Sequence, residues 1–124
     1  MAIERILLVD DERAVLKALT RVLQAKPGSS YDVTPLSDPM EAARLVEAGE
    51  EFDLLMTDVR MSSLDGMSLA ERVLAKLPDI EVIVISAYLN DELIENFKKK
   101  GCKTFIRKPF KMAEVYEAID SLSN

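Results

Sequence analysis

Four short apolar runs in this chain each end on a residue able to do chemistry. Ile6 to Val9 stops at Asp10, Asp11 and Glu12. Leu54 to Met56 gives way to Asp58, Val82 to Ile85 runs into Ser86, and Thr104 to Ile106 leads to Lys108. Runs of this length and composition read as strands buried on both faces. If the strands are parallel, all these polar residues meet at one sheet edge, where open α/β sheets bind their ligands. The three carboxylates of Asp10, Asp11 and Asp58 brought together there repel one another, and each costs several kcal/mol when buried without compensation. Lys108 supplies one positive charge. A hard divalent ion would supply the rest, and Mg²⁺ held by one or two carboxylates, water and a phosphate oxygen suits this inventory. With no histidine in the chain and a single cysteine, zinc is disfavoured. An aspartate beside a metal, an ammonium and a hydroxyl is also equipped to accept a phosphoryl group. Its oxygen attacks phosphorus while the metal, Lys108 and Ser86 each take up charge on a transferred oxygen. The product would be an aspartyl phosphate on Asp58.

The rest of the chain supplies the elements that would position these residues. After the first strand, Val15, Leu16, Leu19, Val22 and Leu23 recur at helical spacing until Lys26 to Ser30 ends the pattern. Tyr31 to Leu36 reads as a strand, and Pro35 within it demands a sheet edge. Asp38 with Pro39 opens a short helix, Met40 to Ala48, closed by Gly49. Beyond Asp58, Asp65 and Gly66 read as a turn, with Ser68 as N-cap of a helix that turns Leu69, Val73, Leu74 and Leu77 inward and stops at Pro78. Glu81 to Ser86 is the next strand. Asn90 to Lys100 forms a helix with acid at its start and Lys98, Lys99 and Lys100 at its end, before Gly101. A last helix carries Met112, Val115, Tyr116, Ile119 and Leu122 on one face. Five strands alternating with five helices predict an α/β fold, a doubly wound parallel sheet covered on both faces. Five strands with strand 2 at an edge match the flavodoxin-like order 2-1-3-4-5.

The totals narrow the partners. A length of 124 residues is one ordinary domain, 1–124, and the 48% hydrophobic and 31% charged fractions are those of a globular protein. A net charge of −6 leaves no basic footprint for nucleic acid. Cys102 fits a reducing compartment and reads as a small buried apolar side chain. The apolar runs are too short to span a membrane, and the start Met-Ala-Ile-Glu-Arg lacks the form of a signal peptide, so the expected location is cytoplasmic.

The distributed signature resembles the receiver domain of two-component response regulators. It comprises Leu-Val-Asp-Asp-Glu at Leu8 to Glu12, Thr-Asp-Val-Arg-Met and Leu-Asp-Gly around Asp58, Ser-Ala at Ser86, and Phe-Ile-Arg-Lys-Pro-Phe from Phe105 to Phe110. The resemblance implies that Asp58 is the phosphoacceptor, that Asp10, Asp11, Asp58 and the carbonyl of Arg60 hold Mg²⁺, and that Lys108 contacts the phosphoryl group. It implies Ser86 and Phe105 as switch residues and a cis bond between Lys108 and Pro109. It further implies a sensor histidine kinase or phosphotransfer protein as donor. An output domain or a second copy would engage the surface of the fourth helix, fifth strand and fifth helix. The domain would stand alone or form part of a longer regulator, and would catalyse only its own phosphorylation and dephosphorylation. Two features depart from the family. Ser62 stands where proline is usual, so a more mobile loop is expected, and Phe105 lacks a tyrosine hydroxyl. Arg60 and Tyr88 are bulky enough to screen an acyl phosphate from water.

Two other classes compete. An aspartate-nucleophile phosphohydrolase normally carries a second aspartate two residues after the nucleophile, where Arg60 stands. A flavin-binding electron carrier needs a neutral loop after the first strand, where Asp10, Asp11 and Glu12 would repel its phosphate. Each polar residue also has a plain structural role: Asp10 and Asp11 near a helix start, Ser86 as a cap, Lys108 as an exposed charge and Phe105 as strand packing.

Overall fold

The computed structural model describes residues 2–123; Met1 and Asn124, the two ends of the expected domain, lie outside them. Strands and helices alternate throughout: β1 (Arg5–Val9), α1 (Arg13–Gln24), β2 (Asp32–Leu36), α2 (Pro39–Glu47), β3 (Leu54–Thr57), α3 (Gly66–Lys76), β4 (Glu81–Ser86), α4 (Asp91–Lys99), β5 (Thr104–Arg107) and α5 (Met112–Ser123). All strand pairs are parallel, in the order β2-β1-β3-β4-β5, as expected. Pro35 lies on the edge strand β2 and is exposed, where its missing N–H disrupts no ladder.

The inner strands send alternate residues to opposite faces, which is why they read as unbroken apolar runs. Leu7, Leu55, Val82 and Val84 pack beneath α2, α3 and α4, against Ala42, Ala43, Val46, Leu69, Ala70, Val73 and Phe97. Ile6, Leu8, Leu54, Met56, Ile83 and Ile85 pack beneath α1 and α5, against Leu16, Leu19, Leu23, Val115 and Ile119. Cys102 belongs to the first of these cores, and burial pushes its thiol up to about 11. Met112 does not join the second core. It is the first residue of α5 and stays 50% exposed, so the apolar face of that helix begins at Val115. No helix among the described residues is long and apolar enough to cross a membrane.

Helix ends follow local chemistry. The Asp38 and Asn90 side chains accept from the backbone N–H groups of Met40 and Leu93. Gly101, at φ 97°, ends α4 with paired bonds from Gly101 N–H to the Lys98 carbonyl and from Cys102 N–H to the Phe97 carbonyl. The start of α3 differs from expectation. The cap is Asp65, whose Oδ1 accepts from the Ser68 N–H at 2.8 Å, so Gly66 is already helical and Ser68 is the capped residue.

Candidate functional site

The carboxyl ends of β1, β3, β4 and β5 bring Asp10, Asp58, Ser86 and Lys108 to one edge of the sheet. Asp10 and Asp58 continue the ladder beyond their strands: the Asp10 N–H donates to the Leu36 carbonyl and the Asp58 N–H to the Val9 carbonyl. Both residues are buried, Asp10 at 2% and Asp58 at 7% exposure. Each carboxylate has one oxygen on backbone and one on lysine. Asp10 Oδ1 accepts from the Glu12 N–H at 2.9 Å, and Asp58 Oδ1 accepts from the Val59 N–H at 2.6 Å. Lys108 Nζ donates to Asp10 Oδ2 at 2.7 Å and to Asp58 Oδ2 at 2.8 Å. The peptide bond between Lys108 and Pro109 is cis, as expected.

Burial raises the Asp10 pKa above the ordinary carboxylate value, although the Lys108 ammonium and the Glu12 N–H pull it down. Desolvation disfavours the Lys108 ammonium too, but its bonds to Asp10 and Asp58 outweigh this and raise its pKa.

A third carboxylate reaches the site, and it belongs to Glu12. Its Oε1 stands 3.7 Å from Lys108 Nζ, and carboxylate oxygens of Asp10, Glu12 and Asp58 lie within 4.8 Å of one another. Asp11 is exposed and stands outside that group. The bond from Glu12 N–H back to Asp10 shapes the turn in which this difference arises. The donor set is all oxygen and gathers around a cationic ammonium, so it fits a hard divalent ion.

Ser86 is fully buried; its Oγ accepts from the Tyr88 N–H at 3.0 Å, and its carbonyl accepts from the Lys108 N–H at 3.0 Å. Phe105, half-buried, packs edge-on to Phe97 with ring centroids 6.1 Å apart. Arg60 is exposed, and its guanidinium lies 4.2 Å over the Tyr88 ring, a cation–π stack that joins the loop after β3 to the connection after β4. The loop containing Ser62 is tied to α2 at the next residue, where Ser63 Oγ donates to Asp38 Oδ1 at 2.7 Å.

Two neighbours of Asp58 have roles at the site that the sequence reading did not assign. Thr57, buried, donates its hydroxyl to the Asp58 carbonyl at 2.8 Å. Gly66 closes the loop after β3 with its N–H on the Val59 carbonyl at 2.8 Å, and a Cβ there would overlap the Asp58 carbonyl oxygen. Helix propensity alone predicts that Gly66→Ala stabilises by roughly 1 kcal/mol. Backbone cannot yield as a flexible side chain can, so we expect a net loss of about 2 kcal/mol instead. Urea unfolding decides the sign, and a more stable alanine variant would remove the claim of tight packing.

A model of the family described as response regulator receiver domain matches residues 6–120. The chemotaxis protein CheY of Treponema pallidum is 30% identical, with 95% of this chain and 81% of that protein aligned. The sensor kinase CckA of Brucella abortus is also 30% identical, over 94% of this chain. This chain spans only 12%, 56% and 20% of three curated relatives it matches. Among solved structures, a CheY-like receiver domain protein from Methanospirillum hungatei superposes with a TM-score of 0.87 at 25% identity, covering 98% of this chain and 94% of that one. With its sheet order, its acidic edge and a family match over nearly its whole length, the chain belongs to the response regulator receiver domains of two-component signalling.

Proposed function

We propose that this domain is a phosphorylation-dependent switch in which Asp58 accepts a phosphoryl group in a Mg²⁺-dependent reaction. The observation that carries this reading is the Lys108 ammonium bridging two buried carboxylates at the sheet edge. Asp10, Glu12 and Asp58 would hold the cation, with Asp11 and the Arg60 carbonyl as further candidate ligands. When bound, Mg²⁺ supplies charge neutralisation to the phosphoryl oxygens and to the acids around them. The Val59 N–H fixes one oxygen of Asp58, so the other, on Lys108, is the one free to attack. A new bond forms from that oxygen to phosphorus while the bond from phosphorus to the donor breaks, and the donor group leaves. Lys108 then transfers its contact from the carboxylate to the phosphoryl group.

The donor lies outside these 124 residues, which include no histidine: a sensor histidine kinase or phosphotransfer protein, or a small acyl phosphate in vitro. Phosphorylation adds roughly −1.5 to −2 charge at one point. Ser86 would move toward it, and Phe105 would turn into the space released, altering the surface of α4, β5 and α5 for an output domain or a second copy. The domain acts on itself rather than on a stream of substrate. The test is intact-mass spectrometry after acetyl phosphate with Mg²⁺, where one phosphoryl group should be gained, and none with chelator. A chain that gains no mass with Mg²⁺ present refutes the reading.

The Arg60 and Tyr88 stack bears on the lifetime of the product. Each residue holds the other in place, and if the pair screens the acyl phosphate from water, Arg60→Ala and Tyr88→Ala should each speed loss of the phosphoryl group severalfold. The double variant should be little faster than either, because contacting residues are not additive. Decay unchanged in both single variants would end the screening idea.

A further inference from the structure

Arg107 ends β5 opposite Ser86 in the sheet register, and strand alternation places its side chain on the same face as Phe105. From there its Nη1 donates to the Leu89 carbonyl at 2.7 Å, a bond across 18 residues of sequence. Leu89 lies in the connection between β4 and α4. Only Ala87, Tyr88 and Leu89 separate Ser86, the last residue of β4, from Asn90, the N-cap of α4. The Leu89 side chain is buried in the core beneath α4, and Asn90 is held by its cap bond to Leu93. Displacing Ser86 therefore has to be absorbed by three residues, and the carbonyl of one of them is gripped by Arg107. One guanidinium thus joins the strand that carries Phe105 to the connection that carries Tyr88.

We propose that Arg107 is a positioning residue, a latch that holds the connection between β4 and α4 in its resting place and limits how readily the site takes up a phosphoryl group. This rests on the phosphoacceptor reading above, in which Ser86 moves toward the phosphoryl group. A bond made only in the resting arrangement disfavours the other arrangement, and a ligand that selects the second binds more weakly by the same factor.

Beryllofluoride with Mg²⁺, a phosphoryl mimic, tests this by calorimetric titration. Arg107→Ala should bind it about fivefold more tightly than wild type, the scale of one hydrogen bond's net contribution. Arg107→Lys should stay near wild type, because an ammonium can donate to the same carbonyl. In ¹⁵N NMR spectra without ligand, the Tyr88 and Leu89 amide signals of Arg107→Ala should move toward their positions in beryllofluoride-bound wild type. Affinity equal to or weaker than wild type in Arg107→Ala, or amide signals unmoved along that direction, overturns the latch. A wild-type chain that binds no beryllofluoride overturns the phosphoacceptor reading and the latch with it.

Discussion

Asp58→Asn should abolish phosphoryl uptake from acetyl phosphate and leave the chain at least as stable as wild type when Mg²⁺ is chelated. The functional loss is complete because an amide oxygen is too weak a nucleophile to form the acyl phosphate, and no neighbouring group can replace it at that position. The stability change has the opposite sign. Asp58 gains from Lys108 at 2.8 Å but faces two other carboxylates whose oxygens lie within 4.8 Å, and it is only 7% exposed. At an effective dielectric of 20, each like-charge pair at about 5 Å costs about 3 kcal/mol, so the two together are comparable with the roughly 6 kcal/mol that the lysine returns. The desolvation penalty comes on top. Asparagine removes the charge while its oxygen can still accept from the Val59 N–H. We expect a gain of about 1 kcal/mol in chelator, the small remainder of these opposing effects. Mass spectrometry reads the first effect and urea unfolding the second. An Asn variant that still gains a phosphoryl group would move the acceptor elsewhere, and one that is markedly less stable would mean the three acids do not repel as argued.

The same physics decides how far the site could be read from sequence. Strands covered on both faces need apolar residues in succession, so the polar residue that ends each run marks the sheet edge, and Asp10, Asp58, Ser86 and Lys108 stand out in the sequence. Pro35 marked the edge strand because its missing N–H forbids an inner position. The misses occurred where two structures use the same residue types. Asp65 and Gly66 suit a turn and a helix cap equally, and only packing against the Asp58 backbone shows why glycine stands there. Asp11 and Glu12 are adjacent acids in one turn, and which of them reaches Lys108 depends on the backbone path rather than on composition. Arg60 over Tyr88 and Arg107 on Leu89 join side chains or carbonyls far apart in sequence, and such contacts leave no periodic trace.

Lys108→Met separates the two cations that the acidic edge needs. Methionine retains most of the apolar stem but not the charge, leaving Asp10 and Asp58 buried with no ammonium between them. The Lys108 side chain is 13% exposed, so solvent screening discounts its interactions little. Removing one partner of a buried pair typically costs 3–5 kcal/mol, and we expect about 3 kcal/mol in chelator, since Glu12 is exposed and water can approach from its side. For a domain of this length that is about 10 °C in Tm. The loss should depend on pH with a definite sign. Asp10 already has its pKa raised from 3.8 by burial, and losing Lys108 raises it further. A carboxyl raised in the fold destabilises once ionised, so the deficit is full at neutral pH and fades as pH falls through the raised pKa. Mg²⁺ should restore the variant and stabilise it more than wild type, where Lys108 already neutralises part of the same charge; at a hundredfold excess over Kd, binding contributes about 2.7 kcal/mol. Thermal unfolding of both chains with and without Mg²⁺, at neutral and mildly acidic pH, measures all of this. If the Mg²⁺-induced rise in Tm were the same in the two proteins, Lys108 and the metal could not be answering the same excess of negative charge.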